Sequence, residues 1–149
     1  MTSHPAELRW LTAPQQEQVE ATIAEVEAAT SAEIRVVVLQ YCWQPLLRKA
    51  QQIFEKYQLH QTKQRNAVMI LLVLKNRELL LYGDQGIHEK VTPEFWVQVK
   101  DAMVARMAAG ELIEGICVGI RQIGEKLQHF FPATGDGVNE IPNEVIHED

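Results

Sequence analysis

Cysteine is scarce in this chain: Cys42 and Cys117 are the only two in 149 residues. A disulfide framework therefore cannot carry the fold, and two thiols far apart in sequence suit a reducing compartment, although a bridge between them is left open at this stage. Long apolar runs are also missing. The longest, residues 67–74, is far too short to cross a bilayer. The opening MTSHPAELRW has neither the basic nor the apolar part of a secretory signal. The expectation is a cytoplasmic protein with no direct membrane insertion. There is no glycine-rich phosphate loop, no GxSxG and no HExxH, and neither cysteine belongs to a CxxC pair. Net positive charge is lacking too: the formal charge is -6, which argues against nucleic acid as a partner.

What charge there is lies unevenly. Residues 1–34 carry -5, residues 35–90 carry +5, residues 91–131 carry -1 and residues 132–149 carry -5. The acidic ends can neutralise the basic middle internally, or the middle can attract an acidic partner. Apolar residues make up 46% and charged residues 23%, ordinary values for one soluble globular domain able to bury a core unaided.

The stretch from Asn66 to His88, NAVMILLVLKNRELLLYGDQGIH, organises the rest. Its two apolar runs, 67–74 and 78–82, are separated by Lys75-Asn76-Arg77 and read as a buried β-hairpin. Upstream, Thr12-Ala13-Pro14-Gln15 forms a capping box, and Val19, Ile23 and Val26 follow at helical spacing to an end near Thr30. Residues 34–39 read as a strand through their β-branched content. A second helix begins at Trp43-Gln44-Pro45, with Pro45 in its first turn and Leu46, Ala50, Ile53, Phe54 and Tyr57 as its buried stripe. Strand, helix and strand imply a right-handed parallel crossover. Thr92-Pro93 opens a third helix, Gly110 suits its left-handed end, and a fourth helix runs over 112–130, where Pro132 follows. The fold class is α/β: a small mixed sheet sandwiched by helices, Rossmann-like in its α/β/α layering. Residues 1–131 form the domain. Residues 132–149 form an acidic tail that packs on it or extends from it, with Ile141 and Val145 as its anchors.

This topology gathers Glu33, Arg35, Arg65, Asn66 and the Gly83-Asp84-Gln85-Gly86-Ile87-His88 loop at one edge of the sheet. Cys42, Trp43, Lys75, Asn76 and Arg77 gather at the other. Asp84 and His88, flanked by flexible glycines, are candidates for a general acid–base pair or for metal ligation. Glu33 with Arg35 can orient a phosphate or form a structural ion pair. Cys42 is a candidate nucleophile with His60 as its base.

At Thr30-Ser31-Ala32-Glu33-Ile34-Arg35, Arg65-Asn66-Ala67, Gly83-Asp84-Gln85-Gly86-Ile87-His88, His129-Phe130-Phe131-Pro132 and Asn139-Glu140-Ile141-Pro142-Asn143-Glu144 the chain resembles the TPM domain family, also called the TPM phosphatase domain. It looks like the short soluble branch, without signal peptide or transmembrane helix. The resemblance implies the Rossmann-like sandwich. It also implies either acid phosphatase activity with calcium held by acidic loops, or roles in membrane-complex repair and receptor modulation. Where relatives place Asp-Asn-Gly before the second strand, this chain has Arg65-Asn66-Ala67. Where they place a further acid before the first helix, it has Arg9-Trp10.

Two expectations result. In the first, the chain is a partner- or ligand-binding regulatory module without efficient catalysis, and a protein is its partner. In the second it is a weak phosphatase. Glu33 and Asp84 then hold Ca²⁺ or Mg²⁺, Arg35, Arg65 and Asn66 hold the phosphate, and His88 assists proton transfer.

Overall fold

The computed structural model describes residues 10–133 and 143–148. Arg9, Ile141 and most of the acidic tail therefore lie outside the described residues.

The first helix, α1 (Ala13–Glu27), begins at the capping box: Thr12 Oγ1 accepts from the Gln15 backbone N–H at 3.3 Å, and Gln15 Oε1 accepts from the Thr12 N–H at 2.9 Å. It stops at Ala28, short of Thr30. Strand β1 (Glu33–Leu39) is buried along its whole length, as is β2 (Ala67–Val73). Between them α2 (Leu46–Lys56) makes the parallel crossover, with Pro45 just before its first turn rather than inside it. The turn at Leu74-Lys75-Asn76-Arg77 returns the chain antiparallel as β3 (Glu78–Gly83). Arg77 adopts φ 54° there, which lets the turn match the strand twist.

After β3 the expected loop is instead one helical turn, α3 (Gln85–His88), with Asp84 as its N-cap. The Asp84 carboxylate accepts from the Gln85 N–H at 2.8 Å, a cap that favours a helical start over a loop. Helices α4 (Pro93–Ala108) and α5 (Leu112–Phe130) follow, and Gly110 takes φ 84° between them. Gly119 of α5 lies so close to α4 that a Cβ there would stand 2.3 Å from the Met103 sulfur.

The sheet order is β3-β2-β1-β4. Strand β4 (Ile146–Glu148) runs parallel to β1, with Val37 opposite Ile146, and has no counterpart in the sequence reading. Val145, expected as an anchor of the tail, is buried just before it. Strand parity divides the core. Ile34, Val36, Val38, Val68, Ile70 and Leu72 pack under α1, α4 and α5. Val37, Leu39, Met69 and Leu71 pack under α2 through Ile53 and Phe54. These are the two helical layers on a mixed, open sheet that hydrophobic pattern predicts. Among the described residues, no helix is long and apolar enough to cross a membrane. Cys42 and Cys117 are both free thiols, which closes the question of a bridge.

Candidate functional site

The hairpin register brings the first group of residues to one edge. Glu33 pairs with Ala67, and the Ala67 carbonyl accepts from the Asp84 N–H at 2.9 Å, so the three lie in one row across the sheet. Arg65 precedes this row with φ 52°, a left-handed position rare for a side chain other than glycine, asparagine or aspartate. From there its Nε donates to Asp84 Oδ2 at 2.7 Å and one terminal nitrogen donates to Oδ1 at 2.8 Å. The Gln85 N–H also donates to Oδ1, at 2.8 Å. Asp84 is buried while Arg65 stays half exposed, its own titration pushed upward by the Asp84 hydrogen bonds and charge.

Gly86 explains how the pair is held. Its N–H donates to the Arg65 carbonyl at 2.8 Å, and a Cβ on it would lie 2.2 Å from the Gln64 carbonyl oxygen. The glycine expected to supply flexibility instead permits contact between backbone segments.

Asn66, next in the chain after Arg65, is buried at 1% exposure. Its backbone N–H takes Thr62 Oγ1 at 3.2 Å and its carbonyl accepts from Glu33 at 3.3 Å. Among the described residues, its side-chain amide has no hydrogen-bond partner at either end. A buried amide left unpaired is costly, which marks the position as one to explain.

The other candidates stand apart from Asp84. His88 is exposed on α3 and makes no side-chain hydrogen bond or ion pair among the described residues. Arg35 lies two rows further in, opposite Met69. Burial lowers its titration, and Glu144, Tyr57, Glu20 and Glu27 oppose that shift by their charge. Glu33 is separated from Asp84 by the width of β2, about 10 Å between outer backbones at ordinary strand spacing. As they stand, these donors do not fit one divalent ion, and no group of three potential metal ligands occurs among the described residues. Cys42 and His60 are not brought together either. They lie beyond opposite ends of α2, eleven residues and about 16 Å long. The Cys42 thiol donates instead to the Gln44 carbonyl at 3.2 Å.

One acid escaped the sequence reading. Glu27, the last residue of α1, accepts from the Ile34 N–H at 2.7 Å, on the stretch of β1 that β4 does not reach. Burial pushes its carboxyl up to about 8. The hydrogen bond from Ile34 opposes this, Glu33 reinforces it by charge and by a hydrogen bond, and the Arg35 charge opposes it weakly. The signal was available: an acid in a last helical turn opposes the helix dipole and needs a reason to be there.

At the far edge, the Tyr57 hydroxyl donates to Glu148 at 2.6 Å and Lys56 reaches the same carboxylate at 2.6 Å. Burial and then the Glu148 contact push Tyr57 up to about 12. This contact joins the acidic tail to the basic middle.

Among the described residues, a mixed four-stranded sheet between helical layers, with a polar cluster where the parallel strands begin, defines an α/β sandwich. Residues 7–126 match the TPM domain family, and the chain belongs to that family. In solved structures it is similar to the BA42 protein from the psychrophilic bacterium Bizionia argentinensis, at 28% identity and TM-score 0.87 over 93% of this chain and 95% of that one. It shares its fold with the N-terminal domain of a protein from P. gingivalis, at 19% identity and TM-score 0.70 over 84% and 81% of the two chains. It also shares it with the N-terminal domain of the cg2496 protein from Corynebacterium glutamicum, at 13% identity and TM-score 0.61 over 93% and 90%. No curated protein matches.

Proposed function

We propose that this TPM domain is a cytoplasmic binding module that recognises an anionic group of a protein partner at the Arg65 edge, without efficient hydrolytic chemistry. One observation supports this reading above the others: the two-pronged grip of Arg65 on the Asp84 carboxylate. An acid bound on both oxygens by a guanidinium, and again by a backbone N–H, has little left to offer a metal ion or a moving proton. His88 stands outside that network. The guanidinium uses two of its five N–H groups on Asp84 and is half exposed, so three remain for a phosphate or carboxylate oxygen. The Asn66 amide is an unspent donor and acceptor at the same edge.

The test is hydrolysis of p-nitrophenyl phosphate by the purified protein with and without Ca²⁺ or Mg²⁺, beside thermal denaturation under the same conditions. The expected result is turnover no greater than that of Asp84→Ala and no thermal stabilisation by either ion. Metal-dependent hydrolysis lost in Asp84→Ala would overturn the proposal in favour of a weak divalent-metal phosphatase.

A further inference from the structure

Strand β3 ends the sheet: among the described residues its only neighbour is β2. Because the Asp84 N–H bonds to Ala67, the antiparallel alternation turns the backbone groups of Tyr82 and Leu80 toward β2. Those of Leu79 and Leu81 then point away from the sheet. Edge strands in soluble proteins are ordinarily blunted by a proline, a bulge or a central charge. The run Leu79-Leu80-Leu81-Tyr82 has none of these.

A cavity of about 760 Å³ opens at the hairpin end of this edge, lined by residues 72–74 at the end of β2, by Arg77 of the turn and by Glu78, Leu79 and Leu80 of β3. Both Leu79, which packs toward α4, and Leu80, which packs toward α2, line it. The hollow reaches both faces of the sheet around the hairpin end, beside the start of β3. Leu46 of α2 forms one wall, and Val104 and Met107 of α4 form the other. Arg77 and Lys100 add two positive charges, against the single acid Glu78, which is bonded to Asn76.

We propose that this trough receives an extended acidic peptide from a partner protein, which pairs with β3 as a fifth strand. The Leu79 and Leu81 backbone groups supply its main-chain hydrogen bonds. The two apolar walls take its alternate side chains, and Arg77 and Lys100 select acids among its remaining residues. Charge decides the occupant. The β3 of a second copy carries Glu78 as its only acid, so it would give Arg77 and Lys100 little to pair with. The proposal rests on the reading of the chain as a binding module. It uses a face remote from Arg65, so the phosphate-ester assay and a peptide selection fail independently.

The experiment is selection on immobilised full-length protein from two synthetic pools of heptapeptides. One alternates Asp or Glu with random apolar residues, and the other alternates Lys or Arg with the same residues. Acidic peptides should be enriched by about tenfold or more over basic ones. The best of them should shift the Leu79 and Leu81 amide resonances of ¹⁵N-labelled protein and lose binding when its alternate amides are N-methylated. The doubly substituted Arg77→Glu, Lys100→Glu protein, with an unchanged circular dichroism spectrum, should no longer retain it. Equal recovery of both pools, no recovery, indifference to N-methylation, or a β3-mediated dimer seen by sedimentation would each overturn the proposal.

Discussion

Glu27→Gln tests the buried acid pair with the least disturbance. Glutamine has the shape of a protonated glutamate. Its Oε1 can accept from the Ile34 N–H as Glu27 does at 2.7 Å, and its amide can donate to Glu33. In the native protein the Glu27 carboxyl is raised from the ordinary 4.5 to about 8, chiefly by burial. The folded state therefore holds a proton that the unfolded chain releases, and stability falls as pH rises between those two values. At about 1.4 kcal/mol for each pH unit, the ceiling on that loss is roughly 5 kcal/mol. Glu33 shares the proton and Arg35 steadies the ionised form, so the expected loss is about 2–4 kcal/mol. Urea denaturation of both proteins from pH 5 to pH 9 reads it directly. Glu27→Gln should lie within about 1 kcal/mol of the native protein at the acid end and exceed it by about 2–4 kcal/mol at the alkaline end. Parallel pH profiles for the two proteins, or a less stable glutamine variant at pH 8.5, would refute the reasoning.

Two further substitutions examine the contacts at either end of the sheet. Gly86→Ala places a Cβ 2.2 Å from the Gln64 carbonyl oxygen, and backbone must move to admit it. The expected cost is about 2–4 kcal/mol in urea denaturation, with the Arg65 and Asp84 resonances displaced. Tyr57→Phe removes the 2.6 Å hydrogen bond to Glu148, leaving Lys56 as the partner of that carboxylate. It should cost about 1 kcal/mol near neutral pH. The cost should shrink as Glu148 becomes protonated: burial tends to raise that acid, but the Lys56 and Tyr57 bonds prevail and hold it below the ordinary carboxyl value.

The parts of the fold legible in sequence were those set by neighbours along the chain. The Thr12–Gln15 box, the hairpin around Lys75-Asn76-Arg77 and the left-handed Gly110 each follow from a few adjacent residues. The α3 turn was misread because Asp84-Gln85-Gly86 has the composition of a loop, and only contact with the Gln64–Arg65 backbone shows why glycine is needed. Strand β4 was missed because three residues carry no periodicity of their own, and burial beside β1 creates the strand. Arg65 and Asp84 were both singled out from sequence, yet they are nineteen residues apart. Their pairing depends on the register that sets Ala67 opposite Asp84. Glu27 is not marked out in the sequence because its partner, the open edge of β1, exists only once the sheet has formed.

The placement of β4 has a consequence for how the sheet opens. The Glu33 N–H points to β2, where it meets the Asn66 carbonyl, so the alternation of a strand turns the N–H groups of Arg35, Val37 and Leu39 the same way. Those of Val36 and Val38 face the β4 side. β2 is held by the hairpin and by long apolar contacts on both faces, whereas β4 is a three-residue strand whose partner lies 109 positions away at Val37 and Ile146. A contact so distant in sequence forms late and is released early, at little cost to the rest of the core. Neighbouring amides on β1 therefore belong to two different opening reactions. The Val36 and Val38 amides are freed when β4 lifts away, Ile34 stays tied to Glu27, and the amides between them are freed only when the whole domain unfolds.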